Sequence, residues 1–116
     1  MNYVLKEEAE ADLRDIINYT RNQWGNAQAQ RYLARLKRGI ARLADGQGPF
    51  KDMSAIYPLL RMAHCEHHYI FCLPREGALT LIVAIFHERM NLLARLAGRL
   101  VEPPGVTGIE LSPPGK

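Results

Sequence analysis

Apolar and polar positions along this chain change period several times, and each change marks an element. Residues 2–6 form a short apolar run, which predicts an edge strand. From Glu7 the period becomes helical. Ala9, Leu13, Ile16, Ile17, Thr20 and Trp24 recur at the spacing of one helix face, and Trp24 is expected to close that face against the core. Glu7, Glu8, Glu10 and Asp12 crowd the first turns, where negative charge suits the helix dipole. Gly25 supplies a residue that tolerates φ > 0, and Asn26 can cap the next helix. Ala29, Tyr32, Leu33, Leu36, Ile40 and Leu43 then trace the apolar face of a second helix over about 27–45. Asp45-Gly46-Gln47-Gly48-Pro49 stops it. Two complementary stripes joined by so short a connection predict an antiparallel helical hairpin.

The second half reads as sheet. Leu59–Ala63 and His67–Leu73 are short strands, and Pro74-Arg75-Glu76-Gly77 is a turn. Leu79–Phe86 is almost unbroken hydrophobe, as a central strand covered on both faces requires. Met90–Leu100 offers Leu92, Leu93, Leu96 and Leu100 for a short docking helix. Residues 101–116 change composition abruptly, with four prolines and three glycines, and read as a flexible tail. The order β-α-α-β-β-β-α over residues 1–100 gives an α+β class: a small, mostly antiparallel sheet packed by an N-terminal helical hairpin.

Composition narrows the functional classes. A chain of 116 residues, 47% hydrophobic, supports one modest core. No run approaches the roughly 20 apolar residues of a membrane helix, and the first residues lack a secretory pattern, so a cytoplasmic protein is expected. Cys65 and Cys72 then read as reduced thiols, with Cys72 a packing residue in an apolar strand. A net charge of +3 favours an acidic partner. Arg31, Arg35, Arg38 and Arg42 form a basic stripe on the second helix. It reads either as a solvated face partly paired with acids of the first helix, or as a landing site for an acidic protein segment or for DNA phosphate. No aromatic residue interleaves with it, which argues against direct nucleic-acid binding. His64-Cys65-Glu66-His67-His68 is dense in metal-type ligands but lacks a second ligand pair at zinc-site spacing, so no metal or cofactor is expected. Arg61 interrupts an apolar strand and must reach solvent or a partner, because a lone buried charge is costly.

Several runs, taken in order, resemble the ParE/RelE toxin superfamily. They are Ala9-Glu10-Ala11-Asp12-Leu13-Arg14-Asp15-Ile16-Ile17-Asn18-Tyr19 with Trp24-Gly25, then Leu60-Arg61-Met62, His68-Tyr69-Ile70-Phe71 and Ile85-Phe86-His87-Glu88-Arg89-Met90-Asn91. The last run looks like the ParE branch. Cys72 and Asn91 depart from that pattern, which has tyrosine and aspartate there. The resemblance implies a toxin that inhibits DNA gyrase by binding, without catalysis, and is neutralised by a cognate antitoxin in a hetero-oligomer. It implies a target-binding surface of Arg61, His87, Arg89 and Arg95, and the antitoxin falls to the stripe Arg31, Arg35, Arg38 and Arg42. The RelE branch cuts mRNA on the ribosome, a chemistry that needs cations at the phosphate and a proton carrier. Lys51, Arg61 and His87 are the available pieces here, but Lys51 is the only lysine between Lys37 and Lys116. A third alternative is an inactive module that only binds an antitoxin.

Overall fold

The computed structural model describes residues 2–100, so the expected tail at 101–116 lies outside the described residues. β1 (Tyr3–Leu5) leads into α1 (Glu7–Trp24) and α2 (Asn26–Ala44); β2 (Lys51–Asp52), β3 (Arg61–Cys65), β4 (His68–Leu73), β5 (Thr80–His87) and α3 (Leu92–Leu100) follow. The five strands lie in the order β1-β5-β4-β3-β2. β1 runs parallel to β5, and the other pairs are antiparallel. The α+β class and the helical hairpin stand as expected.

The hairpin covers one face of the sheet through Ala9, Leu13, Leu36, Ile40 and Leu43, packed on Ile70, Cys72, Ile82 and Ile85. Leu36, Ile40 and Leu43 are almost fully buried, and each such side chain stabilises by about 2 kcal/mol. On the other face α3 sets Leu96 against Leu60, Phe71, Val83 and Phe86. Both faces of β4 and β5 are therefore covered, which is why Leu79–Phe86 shows no alternation. Gly39 lets the hairpin come close to the sheet: a Cβ there would lie 2.6 Å from Sγ of Cys65. Gly39→Ala should therefore destabilise by about 1–2 kcal/mol despite alanine's better helix propensity. Chemical denaturation checks this, and Cys65→Ala should recover most of the loss.

Several details differ from expectation. Asn26 is inside α2; the residue before it, Gly25 at φ +90°, makes the corner, and no side chain caps the helix. β3 begins at Arg61, not Leu59, because Leu59 sits at φ +69° and turns the chain so that Leu60 is buried. β2 pairs only Lys51 with Met62 and Asp52 with Arg61, too short for any periodicity. α3 starts at Leu92 instead of Met90.

The edge of β5 is finished by side chains. Between β4 and β5 the register steps from Phe71↔Ala84 to Cys72↔Ile82, leaving Val83 as an extra, bulged residue. β1 follows β5 only as far as Ile82, whose carbonyl accepts from Lys6 N–H. Beyond that point Asp12 accepts the Ile85 N–H at 3.0 Å, and Arg99 donates to the Val83 carbonyl at 3.0 Å. Asp12 and Arg99 also join each other at 2.6 and 2.8 Å. One ion pair thus ties α1, β5 and α3 together.

Candidate functional site

Where α1 and α2 meet the ends of β4 and β5, the surface opens into a groove of about 640 Å³. α1 reaches it with Ile16, Tyr19 and Trp24, α2 with Tyr32 and Arg35, and the sheet with His68 and His87. Trp24 is 71% exposed and Tyr19 65% exposed. The expectation that Trp24 lies in the core is overturned. α1 outruns the sheet, so its last core contact is near Thr20 and the indole hangs over the groove's end.

The groove floor is a hydrogen-bonded set. The Tyr32 hydroxyl accepts from His67 N–H at 3.0 Å and shares a bond with Nδ1 of His68 at 2.7 Å. Burial raises the Tyr32 pKa. Burial, helped by His87 and His67 nearby, lowers His68 to about 4, so its ring is neutral. The His68 and His87 rings meet edge to face at 5.3 Å, and Nδ1 of His87 accepts from Arg89 N–H. At the rim, Glu88 receives Nε2 of His64 at 2.9 Å and Nδ1 of His67 at 3.2 Å, which holds its carboxyl below the usual range. All four histidines of the chain gather at this one end.

His68 makes a pH prediction. Its folded pKa lies below its unfolded value, so the unfolded chain takes up a proton first as the solution is acidified. Its contribution to stability should be intact above about pH 6.5 and should decline as pH falls toward about 4. NMR titration should show the His68 ring still neutral through most of that window.

The predicted site residues divide between two ends. His87 lies at the groove, Arg89 is exposed in the turn that follows it, and Arg95 is exposed on α3. Arg61 pairs across to Cys72, whereas His87 pairs with His68, which in turn pairs with Cys65. Arg61 is thus displaced by four residues, about 13 Å along the strands, from the row holding His87. Lys51, beside Arg61, is equally remote. The α2 stripe is spread along the helix. Arg31 donates to Gln28, Arg35 borders the groove 4.0 Å from Glu66, and Arg38 and Arg42 lie toward the opposite end. The expected pairing with α1 acids does not occur among the described residues. Glu10 pairs with Arg14, Glu8 with Lys6 and Arg99, and Asp12 with Arg99. Among the described residues no three His, Cys, Asp or Glu side chains form a metal-holding group, and no helix is long and apolar enough to cross a membrane.

The pattern of the ParE toxin of type II toxin-antitoxin system, parDE, matches residues 3–92. The chain belongs to the ParE toxin family. The chain is 67% identical over 98 residues to Toxin ParE of Escherichia coli, covering 84% of this chain and 95% of that one. It is 33% identical over 97 residues to Toxin ParE1 of Caulobacter vibrioides, covering 81% and 96%. Among solved structures, a chain of the chromosomal ParDE TA system from P. aeruginosa superposes with a TM-score of 0.61, at 19% identity and over 75% of this chain and 95% of that one. That likeness speaks for the fold. The ParE match spans both ends of the sheet, groove and Arg61 included. Sequence reasoning passed over the aromatic groove because Tyr19 and Trp24 belong to a helical period that normally signals core.

Proposed function

We propose that this ParE-family toxin inhibits DNA gyrase by binding and stabilising its cleaved DNA complex, and that a cognate antitoxin silences it by occupying the aromatic groove. The observation that carries the non-catalytic reading is the separation of Lys51 and Arg61 from His87. A ribonuclease needs its phosphate cations and its proton carrier at one scissile bond, and these lie about 13 Å apart along the sheet. The groove, rimmed by exposed aromatics, suits an amphipathic segment that folds as it docks. Arg35, at its border, remains the stripe residue best placed to meet an antitoxin carboxylate. Arg89 and Arg95 stay on the target side of the proposal.

Purified chain incubated with gyrase and supercoiled plasmid should accumulate linear DNA, and adding antitoxin should reverse this. Codon-specific mRNA cuts on translating ribosomes, with gyrase unaffected, would instead favour the ribonuclease reading.

A further inference from the structure

We propose that Arg42 and Arg61 form a contact site for the phosphodiester backbone of duplex DNA, at the end of the sheet remote from the groove. The two arginines come from different elements and rest on one loop. Gly46 and Gly48 both have positive φ, +72° and +74°. The place a Cβ would take at Gly46 lies 3.3 Å from Nη1 of Arg61, and at Gly48 the corresponding position lies 2.8 Å from Nη2 of Arg42. Glycine therefore lets both guanidiniums lie against bare backbone. Arg61 is further held over the Phe50 ring, 4.8 Å from its centroid.

Neither guanidinium has an ion-pair partner among the described residues. Asp45 accepts from Asn2. Asp52 stands opposite Arg61 in the ladder and feels its charge, but its carboxylate is bonded by the backbone N–H and the hydroxyl of Ser54 and makes no ion pair with the guanidinium. Two positioned forks are thus left to meet an anion. The supporting glycines are two residues apart, at most about 7 Å of backbone. Two forks presented by one loop suit successive phosphates of one strand, whose charges repeat at a fixed interval. His87 is at the other end of the sheet, so such a site grips a phosphodiester without a proton carrier of the ribonuclease kind to cut it. The biological setting rests on the gyrase reading above, in which the toxin acts on a protein–DNA complex.

The test uses the full chain and a fluorescein-labelled duplex of about 20 base pairs, with anisotropy read from about 50 to about 200 mM salt. The wild type should bind with a log–log salt slope of about −2. Arg42→Ala and Arg61→Ala should each reduce that slope by about 1 and weaken binding alike for unrelated sequences. Arg61→Lys should keep the slope, and Arg31→Ala, remote on α2, should leave it unchanged; circular dichroism confirms that each variant is folded. Absence of binding at low salt, or slopes untouched by the Arg42 and Arg61 substitutions, would overturn the site. So would displacement of the duplex by polyglutamate as readily as by unlabelled DNA. A wild-type chain that binds duplex yet leaves gyrase active removes the gyrase reading and leaves the site standing.

Discussion

Asp12→Ala should lower the stability of the chain by about 3 kcal/mol, the largest loss expected from any single polar substitution in it. Asp12 is the acceptor for both the Ile85 N–H and the Arg99 guanidinium. Removing it strands two donors in a part-buried place. Arg99 would keep only its weaker contacts, to the Val83 carbonyl, to Glu8 at 3.9 Å and over the Phe86 ring at 4.9 Å. Unpaired buried groups cost more than the bonds they made. For a chain of this size about 3 kcal/mol corresponds to a fall of about 15 °C in Tm, read by thermal unfolding. Arg99→Ala should cost somewhat less, because Asp12 keeps Ile85. The double substitution should fall short of the sum, since both single changes break the same pair. Additive losses would mean that the ion pair does not act as one unit.

Trp24→Ala should weaken antitoxin binding on the order of 100-fold, about 3 kcal/mol, while changing stability by less than about 0.5 kcal/mol. The indole is mostly in solvent, so the free toxin loses little packing. A large aromatic that becomes buried only in a complex places its energy there, as interface hot spots do. Titration calorimetry with the cognate antitoxin gives the first quantity and denaturation the second. Tyr19→Ala should act in the same direction. Unchanged antitoxin affinity in both variants would move the docking site away from the groove.

How far the sequence could be read depended on whether a feature had a period. α1, α2, β4 and β5 are long enough to repeat their pattern, and their ends fall within a residue or two of expectation. β2 has two residues and carries no pattern. The start of β3 was hidden by the left-handed Leu59, since a leucine announces nothing about φ. Trp24 obeyed the helical period yet lies outside the core, because period gives direction around the helix and not distance from the sheet. Arg61 and His87 stand out in the sequence, but nothing local says that a register of antiparallel strands sets them at opposite ends. The Asp12–Arg99 pair, 87 residues apart in sequence, belongs to the same class of fact.

The extra residue at Val83 has a consequence for how this strand can change. Ile82 and Ile85 face the hairpin although they differ by an odd count, and His87 follows Ile85 onto the groove side. Val83 and Ala84 both face α3, so the strand spends one extra residue there and then resumes its alternation. Deleting Val83 would leave Ile82, Ala84 and Ile85 in plain alternation, with Ile85 and His87 still on the groove side. A one-residue loss at this point would therefore straighten the ladder against β4 and spare the groove.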